Sequence, residues 1–322
     1  MSPLWSVLCG RRVNFQSHKP FRFCLSGCAE FQIGKERFPA ARRSSSQLQR
    51  QGNLSSLTRL ALRFTMRLGR PFMTQTASVV LLRQESLAAF QDYIDKAEAE
   101  MEPALDGRAP FLWSDADPAR SRRVRRGDIP AQLWSGDSPV HVPSALIHDW
   151  IGAVFIPGAT VSKALARVQD YDNHKTIYQP EVMDSRLISH RGNDFSIFLR
   201  LLKKKIITVV LDTYHDVHYQ PVSDDCWFCR SYTSRIAEVD DAGTPKEKIY
   251  PPDTGYGFMW RLYSYWRFAG EKDGVVVECR AISLTRDVPF GLGFIIEPII
   301  KNLPRESLVD TLRATREALR SG

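Results

Sequence analysis

The chain is poor in signatures of chemistry. Its 322 residues contain no Gly-rich phosphate loop, no Ser nucleophile elbow and no zincin spacing, so no order of residues names a reaction. No stretch approaches the roughly 20 consecutive apolar residues that a bilayer-spanning helix needs, which excludes a helical integral membrane protein. Cysteine is scarce, with six residues: Cys9, Cys24 and Cys28 near the N-terminus, and Cys226, Cys229 and Cys279 in the body. An odd count in the body argues against a full disulfide framework. Cys226-Trp-Phe-Cys229 has the C-x-x-C form. In a strand-like segment a spacing of three sends the two thiols to opposite faces, so a structural pair is expected rather than a zinc or redox site. Acid is nearly missing from residues 1–75, which hold 13 of the 44 bases but only 2 of the 36 acids, Glu30 and Glu36. The other 31 bases and 34 acids leave the remainder mildly acidic, so the net charge of +8 belongs to the N-terminal segment. The body therefore has no global field for DNA or RNA, and no nucleic-acid partner is expected.

That N-terminal segment has no sustained hydrophobic period, clustered arginines (Arg11 and Arg12, Arg42 and Arg43) and a run of Ser44, Ser45 and Ser46. Residues 1–83 read as a poorly ordered basic extension. Residues 57–82 are Arg-rich and weakly amphipathic, interrupted by Arg63, Arg67 and Arg70, with no clear small-residue cleavage site. The reading taken is that the true start is Met66 or Met73; a targeting segment is the alternative. A cytoplasmic protein follows from the first reading and an exported one from the second.

The whole chain is 43% hydrophobic, enough for a sizeable core. Leu87, Phe90, Ile94, Ala97 and Met101 recur at spacings of three and four, which predicts a helix over 84–102 ended by Pro103. Residues 103–122 read as a connector and 123–134 as a strand or edge hairpin. The arginines at 120, 122, 123, 125 and 126, close to Asp115, Asp117 and Asp128, read as a solvated, locally neutralised edge. Ala145–Ile156 is a strand, after which Thr160 caps a helix carrying Val161, Ala164, Leu165 and Val168, and a further helical turn spans Tyr171–Tyr178. Strands are then predicted at 181–189, 195–202, 206–219 and 226–239 with hairpin-short links, so the sheet is antiparallel. Residues 240–257, rich in Pro and Gly, form a loop long enough to cover a cavity mouth. Strands at 258–269 and 274–287 precede a final helix from about Gly291 that Pro298 and Pro304 should bend or cut.

A long antiparallel sheet followed by one Leu- and Ile-rich helix buries both best by curling around it, which leaves an apolar space between them. The chain resembles the helix-grip fold of the START-like (SRPBCC) superfamily, with its pollen-allergen, polyketide cyclase and coenzyme-Q-binding branches. The resemblance covers about 145–320. It rests on Pro157-Gly158-Ala159-Thr160, on Leu165, Val168, Asp170 and Tyr171, on Tyr178-Gln179-Pro180, on the strand 182–189, and on Gly291-Leu292-Gly293-Phe294 through Leu319. The fold class expected is therefore α+β, a curved antiparallel sheet wrapped around a long C-terminal helix with an extra N-terminal helix. The domain boundaries expected are 1–83 for the extension, 84–144 for a helix and edge segment packed on the main domain, and 145–322 for the helix-grip domain.

Strand alternation selects the lining. Val209, Leu211, Thr213 and His215 are the more apolar set of their strand, as are Trp260, Leu262, Ser264 and Trp266 opposite Arg261 and Arg267, and Val277 and Cys279 opposite Glu278 and Arg280. With Ile295 and Ile299 of the last helix these form the candidate cavity lining, in which Thr213, His215 and Ser264 are polar handles. No catalytic set is legible: Asp212 and Asp216 alternate with His215, and His218 falls on the face opposite His215, which also removes a metal site. No cofactor and no metal are expected. The resemblance implies a hydrophobic small-molecule ligand such as a lipid, quinone or polyketide. The alternatives are a cyclase or aromatase acting in the same cavity, and an interaction module using the 84–102 helix on a protein partner whose identity the residues leave open.

Overall fold

The computed structural model describes residues 79–136, 139–204, 208–287 and 293–320, with the side chains of 293–301 excluded. The expectations for Cys9, Cys24, Cys28, Met66 and Met73, and for most of 57–82, lie outside the described residues. In chain order the elements begin with β1 (Val80–Leu81), α1 (Gln84–Leu105), a 3-10 turn at Ser114–Ala116 and α2 (Pro118–Arg125). β2 (Ala131–Leu133), β3 (Val140–Val142) and the long β4 (Ala145–Pro157) follow, then α3 (Val161–Val168) and, after a 3-10 turn at Tyr171–Asn173, α4 (His174–Ile177). Next come β5 (Val182–Arg191), β6 (Asp194–Lys204), β7 (Thr208–Ser223) and β8 (Cys226–Asp240). Two short strands, β9 (Lys248–Ile249) and β10 (Thr254–Gly255), precede β11 (Arg261–Glu271), β12 (Gly274–Arg286) and α5 (Gly293–Arg320).

The main sheet is antiparallel, in the order β2-β4-β12-β11-β8-β7-β6-β5, with β3 beside β4 and β9 beside β8. α5 packs on one face of this sheet, against β4 and β12 and beside α3 and α4. This is the α+β helix-grip architecture. Its inner core lies between that face and the helices, and includes Val154, Val217, Cys229, Phe268, Val277, Leu308 and Leu312.

The other face of the sheet is covered too. The α1 stripe Phe90, Ile94, Ala97 and Met101 packs on Ile147, Phe228, Tyr265 and Ile282. Leu112, Trp113 and Val124 pack on Ile151, Ala153 and Val276. Arg267, Glu278 and Arg280, placed on the outward side by alternation, are consequently buried. Arg280 donates to both carboxylate oxygens of Asp149, with Nε–Oδ1 at 3.0 Å and an Nη–Oδ2 bond of 2.6 Å. Tyr93 Oη of α1 donates to Asp149 Oδ2 at 2.8 Å. The Glu278 carboxylate accepts the backbone N–H groups of Trp113 (2.7 Å) and Ser114 (2.8 Å). Burial raises the Glu278 pKa and lowers that of Arg267.

Three local expectations are corrected. Residues 118–125 form a helix rather than a connector running into a strand, because Asp117 Oδ1 accepts the N–H groups of Ala119 (2.7 Å) and Arg120 (3.1 Å) with Pro118 at the first turn. α1 continues through Pro103 to Leu105, since a proline in the last turn forgoes only one ladder bond, and Asp106 N–H still reaches Glu102 O at 2.9 Å. α5 is one element across Pro298 and Pro304, so the prolines do not cut it in two; each removes a single N–H while the packed turns around Leu308 and Leu312 carry the helix on.

Candidate functional site

Cross-strand register turns the inner face of the sheet into rows. One row runs Tyr219, Cys229, Trp266, Cys279, Gly152. The next runs Phe195, Val217, Ser231, Ser264, Ala281, Trp150. Beyond it, Ile197 pairs with His215 and His215 with Thr233, while Leu262 pairs with Ser283 and Ser283 with His148. The first row is closed by packing: a Cβ on Gly152 would stand 2.9 Å from Leu312 Cδ1 of α5. The later rows carry small and hydroxyl-bearing side chains.

Of the residues expected in the lining, Leu211, Thr213, His215, Val277 and Cys279 are buried, and Val209, Leu262, Ser264 and Trp266 are half-buried. Trp266, Val277 and Cys279 belong to the inner core or pack against it. Trp260 is misplaced by the alternation. It lies before the first residue of β11 and packs in the outer layer with Phe90 and Ile94, its N–H held by Leu284 O at 2.7 Å. The side chains of Ile295 and Ile299 lie outside the described residues.

The polar handles are linked to one another. His215 Nε2 and Thr213 Oγ1 are 2.9 Å apart, Ser231 Oγ is 3.4 Å from His215 Nδ1, and Thr213 donates to Leu199 O at 3.0 Å. Burial pushes the His215 imidazole down to a pKa of about 4, so it is neutral at pH 7. Its sequence neighbours are committed elsewhere: Asp212 pairs with Arg200, and Asp216 accepts from Ser196. Cys226 packs with the outer layer and Cys229 with the inner core, so the C-x-x-C thiols do face apart. Burial raises the pKa of both Cys229 and Cys279, which keeps them as thiols. Among the described residues no group of three or more His, Cys, Asp or Glu is arranged to hold a metal ion, and no helix is long and apolar enough to cross a membrane.

Sequence reasoning missed His148 and Trp150. β4 is apolar or buried along almost its whole length, so it offers no alternation from which to choose a face. Only its register with β12 places both residues beside Ser283 and Ala281. Two polar atoms here are buried without a hydrogen-bond partner, His148 Nδ1 and Trp150 Nε1. His148 Nε2 lies 3.1 Å from Thr285 Oγ1.

No family model matches the chain, and no curated protein does. Solved structures do. A STAR-related lipid transfer protein from Xanthomonas axonopodis is similar at 17% identity and a TM-score of 0.40, covering 59% of this chain and 98% of its own. Human STARD10 is similar at 9% identity and a TM-score of 0.36, covering 64% and 80%. The Zhui aromatase/cyclase from Streptomyces sp. R1128 is similar at 9% identity and a TM-score of 0.36, covering 54% and 94%. The similar structures include members of the START superfamily that the sequence resembles, and no residue role is carried across at these identities.

Proposed function

We propose that the protein binds a hydrophobic small molecule between the inner face of the sheet and α5, and carries or stores it there. One observation supports this most. On β11, an interior strand, the inward Leu262, Ser264 and Trp266 are half-buried, while the inward Phe268 at its far end is 1% exposed. Incompletely covered inward side chains on an interior strand support room for a ligand beside Leu262, Ser264 and Trp266, and a mostly apolar lining with a few fixed polar groups is how small-molecule sites are built. Catalysis has less to stand on, because among the described residues no carboxylate pairs with His215, which burial holds neutral.

Native mass spectrometry of gently purified protein tests the proposal. The expected result is a bound mass that leaves on denaturation and extracts into organic solvent, with a change in Trp fluorescence on delipidation that is lost in Trp266→Phe. Protein that is free of any extractable ligand and takes up no hydrophobic probe would sink it.

A further inference from the structure

The row that ends at Trp150 has an uneven profile. Between the large side chains of Trp150 at one end and Phe195 and Val217 at the other stand Ala281, Ser264 and Ser231. Three consecutive small residues at a strand spacing of about 4.8 Å cut a trough roughly 15 Å long across the sheet. Ala281 and Ser264 are only half-buried although they lie on interior strands. Trp150, at 8% exposure, and His148, at 2%, share the face of β4 that borders this trough, and each carries a polar atom with no partner. An indole N–H left dry and unpaired is costly, and a bound water, ion or ligand is one way such a group is satisfied.

The geometry points to Trp150 Nε1 and His148 Nδ1 as the groups that recognise the head of the ligand, and to that head as an uncharged hydroxyl or carbonyl on an apolar body. This rests on the proposal that the inner space takes a hydrophobic molecule. Indole is a donor only, so the head must present an acceptor oxygen. His148, with Nε2 engaged by Thr285, offers an acceptor or a donor at Nδ1 according to its tautomer, and a hydroxyl satisfies both groups at once. Among the described residues, β11 and β12 offer a carboxylate or phosphate no counter-charge on this face. The inward positions that β11 and β12 present beside β4 are Leu262, Ser264, Ala281, Ser283 and Thr285, all uncharged. Arg280 and Arg267 project from the opposite face, the first on Asp149 and the second near Glu278. Burial also keeps the His148 imidazole neutral, with a pKa lowered to about 4.

Three probes with one oleoyl chain separate the possibilities: 1-monooleoylglycerol, oleate, and 1-oleoyl lysophosphatidate, each titrated at neutral pH into delipidated wild type and Trp150→Phe. Monooleoylglycerol should bind wild type at least about tenfold more tightly than either anion, and Trp150→Phe should weaken it about two- to tenfold, the worth of one hydrogen bond, without altering the anions. In 15N-labelled wild type, the indole N–H resonance absent from spectra of Trp150→Phe should move downfield on adding monooleoylglycerol. This readout needs no binding by the variant. Anions binding as tightly as the neutral probe, or an unmoved indole resonance at saturation, would overturn the neutral-head assignment and leave the carrier proposal standing. Failure of all three probes, together with a ligand-free native mass, would overturn both.

Discussion

Asp149 and Arg280 show how a single pair organises the outer layer. Both side chains are 2% exposed, and the guanidinium is held twice by the carboxylate and stacked 3.9 Å from the Trp134 ring centroid. Asp149→Asn keeps the shape but leaves a buried cation without its counter-charge, so it should cost about 3–5 kcal/mol in urea unfolding. A loss below about 1 kcal/mol would mean that water or Glu100, 3.6 Å away, already compensates the arginine. Residue by residue, alternation put Val217, Tyr219, Trp266 and Phe268 on the side of the inner core because β7 and β11 each have one greasier face, and it failed at Trp260, where the strand had not yet begun. It was silent on His148 and Trp150 because both faces of β4 are buried and a strand shut off on both sides carries no period.

The grip of α5 on β4 turns on Gly152. An added methyl would meet Leu312 Cδ1 at 2.9 Å, Pro130 O at 3.2 Å and Ala131 Cβ at 3.3 Å, two elements pressing from different sides. Gly152→Ala should destabilise by about 1–3 kcal/mol. Its effect should be less than additive with Leu312→Ala, since removing the leucine relieves part of the clash; additive losses in urea titrations would refute the close approach. Helices and strands carried by hydrophobic period were legible before any coordinates: α1, α3 with its Thr160 cap (Thr160 Oγ1 accepts Lys163 N–H at 3.2 Å), α5 and the run of hairpins. α2 was not, because it buries only Val124 and so has no stripe. Its start signal, Asp117 before Pro118, sat inside a stretch whose composition reads as loop.

For the molecule as a whole, the buried imidazoles set the response to acid. His148, His174 and His215 each have their pKa lowered by burial to about 4 from 6.5. Between those values the unfolded chain binds protons that the folded one refuses, so stability falls as pH drops through that window. Glu238 and Glu278, raised by burial, act in the opposite sense at its acid end. The urea midpoint should therefore fall between pH 7 and about pH 5, and fall less in His215→Asn; an equal fall in that variant would acquit His215. The grip architecture was legible as a whole because the order of elements alone dictates how sheet and closing helix bury each other. The second core behind the sheet was not, because alternation in β11 and β12 does not tell a solvated arginine from Arg267 beside Glu278 or Arg280 on Asp149.

That rear layer also fixes how far the protein can be shortened. A fragment starting at Ala145 would keep every strand from β4 onward and α5, yet it would bare Ile147, Phe228 and Ile282 to water and strip Tyr93 from Asp149 and the Trp113 and Ser114 amides from Glu278. The smallest autonomous folding piece is thus expected to begin upstream of Phe90, some way ahead of the helix-grip strands themselves.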